Sequence, residues 1–555
     1  MLRYRRFNEC QIQKRQQKDY RLTPLALWSR AALLLWLCMG AVFPTPSARA
    51  EWDQWRGSSR NGISDDTTPI KASFPEAGLK EIWKSDTIPS DHDGGHSSLV
   101  VSEGRLFLNV VWHTDVPSEQ RLIDGEVMSQ LGYRGTKMLG PELTAKMEEL
   151  RKNRNPRLRG TALDEWAREW VKQNFSEEQR LILGSWAESR FKQGRQAIDL
   201  VLLDQINQRN GKPFSNPREL QDWLTSELKL PEDIRERVIK AVPNTIKTAQ
   251  DVVLCLSAKT GETLWKFAID GAATGRNSAS TCAVADGRVF AAGSTHLYAL
   301  KADTGELIWK TPVKANGKGS SPLVADDKVW LMEGSLICLN AADGKMLWSK
   351  KEVNGTTSSP ILWTTTDGKT TLVCQTNKNV SGLDPETGDL RWTLEGGGQS
   401  TPVTQDDHLV ILSGTKGVGL RCYLAQPDAT KPKTLWTHWF LAARYSSSPL
   451  IYEDSVYLLG SSRHLCAALT DGKIRWDEQV ESTISSPVLM DGKMIIMDNN
   501  GSFLRLIKAT PESYQVLGRT KVGAMWCPTP TPWQGRLIVR RKDHVVCFDL
   551  RDAVP

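Results

Sequence analysis

One phrase of thirteen residues constrains this chain more than any other feature. It appears as VLCLSAKTGETLW at 253–265, LYALKADTGELIW at 297–309 and LICLNAADGKMLW at 336–348. Each copy reads as a strand, a tight Thr-Gly or Asp-Gly turn and a second strand ending in Trp. Tryptophans in this register fall at Trp265, Trp309, Trp348, Trp392, Trp436 and Trp476, with gaps of 44, 39, 44, 44 and 40 residues. A period of about 40–45 residues with four short strands per unit is what a β-propeller needs, the spacing of WD40-like rings included.

A second marker precedes each unit: Ser97-Ser98, Ser280-Thr281, Ser320-Ser-Pro322, Ser358-Ser-Pro360, Ser400-Thr-Pro402, Ser447-Ser-Pro449, Ser485-Ser-Pro487 and Thr529-Pro530. Eight blades follow from this count, with seven as the alternative. The unit opening at Thr529 contains GRLIV and HVVCFDL but ends before any closing Trp strand. An orphan strand, Leu79–Trp83, supplies that strand from the other end of the chain. Closure of this kind removes the open edges that template aggregation.

The spacing from Trp83 to Trp265 exceeds one period by nearly the length of a different kind of segment. Between Thr114 and Gln250 apolar residues recur at helical intervals, as in Leu163, Trp166 and Trp170, then Leu181, Trp186, Ile198, Leu202 and Ile206. Ser176-Glu-Glu-Gln179 and Asn216-Pro-Arg-Glu219 have the form of helix starts. Residues 114–250 are therefore expected to be a helical insertion inside blade 1, its Trp and Leu rows forming a core. The fold class is all-β: an eight-bladed β-propeller of four-stranded antiparallel blades with an α-helical insertion in the first blade. Residues 79–113 start the ring and 251–555 complete it.

The first 50 residues read as a secretory leader, with a basic stretch through Arg30, an apolar run from Ala31 to Phe43 and Ser-Ala-Arg-Ala at 47–50. Cleavage is expected after Ala50, and the length of the basic region leaves open a start codon further downstream. An uncleaved anchor is the competing reading, although thirteen apolar residues are short for a span. Lipidation at Cys38 is a further alternative. No later segment is apolar enough to cross a membrane. The formal charge of +7 lies wholly in this leader, which holds nine Lys/Arg against two Asp/Glu. A mature chain without net charge offers no electrostatic case for nucleic acid. The segment 51–78, opening Trp52-Asp-Gln-Trp55, is expected to plug the ring.

Eight cysteines remain after cleavage. Cys255, Cys338 and Cys466 each stand ten residues before a repeat Trp, where other copies have Ala299 and Gly382. A slot taken by Cys, Ala or Gly demands a small side chain, so these are read as packed thiols. Cys282, Cys374, Cys422, Cys527 and Cys547 show no CxxC or paired spacing for zinc or redox chemistry.

The phrase at 297–309 resembles the repeat of the pyrroloquinoline-quinone-type propellers, the quinoprotein alcohol dehydrogenase-like superfamily, over 79–112 and 251–550. That superfamily holds quinoprotein dehydrogenases and non-enzymatic proteins such as BamB of the outer-membrane assembly machinery, whose eight-bladed ring looks like an architectural match. The resemblance implies two functions. One is a periplasmic or secreted binding and assembly scaffold for a protein or envelope component. The other is a dehydrogenase of alcohols or sugars using pyrroloquinoline quinone and calcium. The sequence has no adjacent Cys pair and no Glu, Asn and Asp cluster onto which that site can be carried, so the non-enzymatic scaffold is preferred over the enzyme. No catalytic residue is assigned.

The loops leading into the Ser/Thr-Pro pairs are expected to converge at one channel mouth. They bring His96, Arg276, Asn277, Lys318, Gln399, Arg444, Tyr445 and Trp526 as ligand-binding candidates. Arg276, Lys318 and Arg444 offer an anion-receiving ring, or are ordinary surface charges. His92, Asp93 and His96 have short spacing suited to a metal, or form a solvated turn. No Gly-x-Ser-x-Gly, HExxH or Walker pattern is present. The repeat residues Trp83, Trp265, Trp309, Trp348, Trp392, Trp436 and Trp476 are read as structural.

Overall fold

The computed structural model describes residues 51–88, 95–273, 280–313, 319–355, 357–442, 444–483 and 485–552. The leader and its expected cleavage site lie outside these residues. Eight antiparallel sheets follow one another along the chain. Blade 1 is built from Val100–Ser102, Arg105–Pro117, Thr245–Ser257 and Thr263–Gly271, and blades 2 to 5 repeat the pattern through His438. In blade 6 one 14-residue strand, Ser455–Ala468, takes the length of two. Its first part pairs with Leu450–Tyr452 and its second with Ile474–Thr483. Blade 7 runs from Val488 to Lys521.

Blade 8 is composite, as the count of markers requires. Thr531–Trp533, Arg536–Arg540 and Val545–Asp549 are completed by Glu81–Lys84, with Trp83 opposite Cys547. Borrowing this strand completes the last blade, which would otherwise end at three strands with Val545–Asp549 unpaired on its outer side.

Why the phrase ends in Trp is visible between blades. Each of these Trp residues lies on the outermost strand of its blade, and all but Trp392 reach the turn of the next. Trp83 Nε1 donates to Ala258 O at 3.1 Å, Trp265 to Ala302 O at 3.1 Å, Trp309 to Ala341 O at 3.0 Å and Trp348 to Glu386 O at 2.8 Å. Trp436 and Trp476 repeat the contact with Leu469 O and Thr510 O. The indole faces lie on the turn glycines: a Cβ at Gly261, Gly305, Gly344, Gly388 or Gly472 would collide with Trp83, Trp265, Trp309, Trp348 or Trp436 in turn. These glycines have φ between +71° and +79°, so the turn and the close approach select glycine together. Trp392 lacks this contact because the turn beyond it is the longer loop 425–432; Trp363 instead donates to Asp406 O at 2.7 Å.

The small-residue slot is also explained. Cys255, Ala299, Cys338, Gly382 and Cys466 each pair across the sheet with their own Trp. Cys422 and Cys547 occupy the same slot opposite Trp436 and Trp83. The longer turn after Cys422 and the borrowed strand opposite Cys547 break the ten-residue spacing that marks the others. All eight described cysteines are free, and burial pushes the Cys255, Cys338 and Cys422 thiols up to about 12.

The insertion leaves blade 1 on a long two-stranded arm. Arg105–Pro117 and Thr245–Ser257 stay paired out to Pro117 opposite Thr245, so strand continues past both expected boundaries and the helices lie between Gly125 and Ala241. The expected starts are present: Ser176 makes a reciprocal capping box with Gln179, and Asn216 caps a helix with Pro217 in its first turn. This unit has its own core of Met147, Ala167, Phe191, Leu203, Phe214 and Leu224, on which Trp166, Trp170 and Trp186 pack. Leu181, read as part of a core row, is 40% exposed.

Candidate functional site

The site is assembled from the same Ser/Thr pairs that punctuate the sequence. In three pairs the first hydroxyl fastens its own blade: Ser97 donates to Asn109 O, Ser400 to Leu412 O and Ser447 to Leu459 O. The second joins blade to blade. Ser98 N donates to Thr281 Oγ1 at 3.1 Å, Thr281 N to Ser321 Oγ at 3.0 Å, Ser321 N to Ser359 Oγ at 2.9 Å and Ser359 N to Thr401 Oγ1 at 3.2 Å. Thr401 N then donates to Ser448 Oγ, Ser448 N to Ser486 Oγ, and Thr529 N back to Ser98 Oγ. Seven of the eight joints carry this bond. The eighth, from Ser486 to Thr529, is open, and Thr529 Oγ1 is buried without a partner.

Within this annulus the N-terminal segment fills the channel, as its aromatic opening suggests. Trp52 bridges Val101 of blade 1, Asp53 O accepts from Val284 N of blade 2, and Gln54 exchanges bonds with Val324 of blade 3. Arg56 donates to Pro449 O at 2.6 Å, and Arg60 to Pro322 O at 2.9 Å and Ser321 O at 3.3 Å. Both guanidinium groups are fully buried, and among the described residues neither has a carboxylate within ion-pair distance; burial works against their charged forms. The segment then crosses to blades 7 and 8, with Ile63 bridging Leu489 and Asp66 accepting from Gly535 N at 2.6 Å.

Above the plug is a cavity of about 240 Å³. Trp55 lies in its wall, with Nε1 donating to Thr401 Oγ1 at 3.3 Å. Of the candidates read from sequence, His96, Gln399, Arg444 and Trp526 line this cavity. His96 meets Trp526 edge-on at 5.0 Å, and the Arg444 guanidinium lies 5.9 Å from the Trp526 ring centre. Tyr445 lies in an adjoining pocket with Asn377 and Ser446, its hydroxyl donating to Phe440 O at 2.6 Å and accepting from Ala442 N. Arg276, Asn277, Lys318, His92 and Asp93 lie outside the described residues. Among the described residues no three His, Cys, Asp or Glu side chains are grouped to hold a metal.

Sequence reading missed Trp55, Ser98, Ser321, Thr401, Ser448 and Ser486 as cavity residues. In sequence the Ser/Thr pairs read as blade markers, although a hydroxyl repeated at every blade's entry to the axis is itself the signal. Glu178, in the first turn of the helix Glu177–Gln193, is near enough to help hold the Tyr445 hydroxyl above its ordinary pKa, a shift due first to burial.

Among the described residues no carboxylate lines the cavity. Hydroxyls, indoles and a guanidinium do not make the oxygen cage a calcium ion needs, so the described residues are a poor fit for quinone with calcium.

Comparison with known proteins agrees with this architecture. The family model described as outer membrane protein assembly factor BamB matches residues 249–439 and 332–516. BamB of Yersinia pestis is 24% identical over 281 residues, 45% of this chain and 65% of its own length. The chain thus spans about two thirds of that relative. Among solved structures, BamB from Moraxella catarrhalis superposes over 55% of this chain and 90% of its own, with 17% identity and a TM-score of 0.44. Quinohemoprotein alcohol dehydrogenase from Comamonas testosteroni covers 56% and 73%, at 12% identity and a TM-score of 0.39. Described helices include none long and apolar enough to cross a membrane. With the repeat phrase and the eight blades in agreement, this chain is a β-propeller of the pyrroloquinoline-quinone-like type, similar over residues 249–516 to the BamB family model.

Proposed function

We propose that this protein is an exported, non-enzymatic scaffold that binds a protein or envelope component on one face of its ring. The observation that carries this reading is the placement of the insertion. A helical unit with its own core rises from blade 1 on a paired arm, and the ring carries a separate cavity at its channel mouth. The chain thus offers a partner two recognition surfaces. The likeness to an assembly factor supports the same reading, and the leader, with Ala50 as its cleavage position, supports a periplasmic or secreted location.

The test is affinity capture from the envelope fraction with the mature protein beside a form in which a short turn joins Pro117 to Thr245. Those residues are already paired, so the shortened arm closes as an ordinary hairpin. Loss of the captured partner from the shortened form supports the reading. Dye-linked oxidation of alcohols or sugars after reconstitution with pyrroloquinoline quinone and calcium would overturn it in favour of the dehydrogenase.

A further inference from the structure

The annulus of hydroxyls has a chemical polarity. Each of the seven joints uses a hydroxyl as acceptor of a backbone N–H, which leaves the hydroxyl proton unspent. Among the described residues none of Ser98, Thr281, Ser321, Ser359, Thr401, Ser448, Ser486 or Thr529 donates that proton to an acceptor. Five of these residues, Ser98, Ser321, Thr401, Ser448 and Ser486, line the cavity. Its wall is thus rich in donors.

The surrounding charge has the matching sign. Arg444 is exposed at the rim, and among the described residues it has no carboxylate partner. One residue beyond Trp55 in the chain, Arg56 is sealed in the channel with Nε and Nη1 unpartnered, and Arg60 has an unpartnered Nε. Asp53 is an acid in that layer, attracted to Arg60, but burial raises its pKa and so weakens it as a counter-charge, while the buried Glu333 carboxylate is engaged by Ser320 N at 3.1 Å. Buried cations that lack a paired acid favour an anion nearby.

Size narrows the ligand. A volume of about 240 Å³ is below the ~300–1,000 Å³ of sites that enclose a whole organic ligand, and suits the terminal group of a longer chain. Trp55 and Trp526 supply apolar surface beside the donors. We infer that the channel mouth is an oxyanion-binding site that receives the C-terminal carboxylate of an extended peptide, held by Arg444 and the unspent hydroxyls of the annulus. Terminal-carboxylate capture by converging donors is a known recognition mode. This inference rests on the scaffold reading and names the chemistry of its ligand.

The experiment is calorimetric titration of the mature protein with the peptide Ala-Ala-Leu-Leu bearing a free C-terminus, the same peptide amidated, and inorganic phosphate. The free peptide is expected to bind, with amidation and Arg444→Gln each weakening it by about tenfold and added salt weakening it further. Arg444 is exposed, so the thermal midpoint of Arg444→Gln should match the parent and exclude misfolding. Equal binding of the free and amidated peptides, or no binding of either, overturns the inference. Binding of phosphate alone overturns the peptide assignment and places the oxyanion on another source. If Arg444→Gln captures the envelope partner as well as the parent does, this inference fails while the scaffold reading stands; loss of capture only on shortening the arm shows the same separation.

Discussion

Trp83 and Ala258 lie 175 positions apart, yet the indole of one donates to the carbonyl of the other at 3.1 Å, on the seam where the last blade meets the first. The same indole covers Gly261 and packs against the core shared by blades 7, 8 and 1. Trp83→Ala removes that cover at the single joint closed by the N-terminal strand. A loss of roughly 3 kcal/mol is expected from truncation of a packed Trp, read as a lower midpoint of urea unfolding.

The glycine on the other side of this contact permits a controlled comparison. Gly261 and Gly104 have nearly the same backbone, with φ of +79° and +76°, but a Cβ on Gly261 meets the Trp83 ring and one on Gly104 meets open space. Backbone strain is thus common to both Ala substitutions. Gly261→Ala should cost about 1–3 kcal/mol more than Gly104→Ala, and the difference measures the overlap alone. Equal costs would show that the indole simply moves aside.

Blades 7 and 8 are held together by other means. Their joint lacks the Ser486 to Thr529 bond, and blade 7 has Gly518 in the register where the other blades place Trp. Phe74 packs at Gly518, Ile70 N bonds to Asp491 Oδ2 at 3.0 Å in blade 7, and Asp66 accepts from Gly535 N in blade 8. Asp66→Ala leaves that buried N–H unpaired and should lower stability by about 1–3 kcal/mol, with hydrogen exchange rising first in 488–540.

His464 makes stability depend on acid. It is fully buried, with Nδ1 against the Tyr514 hydroxyl at 2.9 Å and Nε2 without a partner, beside the Arg505–Asp498 pair. Burial first, then the Arg505 charge, pulls its pKa down to about 3. Because the folded value is depressed, the unfolded chain takes up a proton below about 6.5 that the native state refuses. Stability should therefore fall as pH drops from about 6.5 toward 3. Replacing His464 by Gln should flatten the slope of unfolding free energy in that window, whatever it does at pH 8.

The insertion should unfold on its own. Its core is separate from the blade cores, and its route to the ring is the paired arm. Calorimetry is expected to show two transitions, and joining Pro117 to Thr245 should abolish one and leave the other within a few degrees.

Much of the fold was legible because its signals are local and repeated. The Trp period, the Ser/Thr-Pro markers and the unfinished last unit together gave the blade number and the borrowed strand. Boundaries were less legible: nothing in His113–Pro117 or Thr245–Lys247 marks a strand that continues away from the ring, because pairing between distant segments sets its length. Of the site, charged and aromatic loop residues stood out, and four of them share one cavity. The hydroxyls and Trp55 did not, since a serine that bonds its neighbour blade and one that faces solvent look the same in sequence.

The N-terminal plug has a consequence for the order of assembly. Trp52, Asp53 and Gln54 bond to blades 1 to 3, but Ile63 needs Leu489 and Asp66 needs Gly535, 469 positions downstream. The stretch synthesised first is therefore unable to take its full place until the last blade exists. Its loop closure spans nearly the whole chain, so sealing of the axis is expected to be completed only after blade 8 has formed.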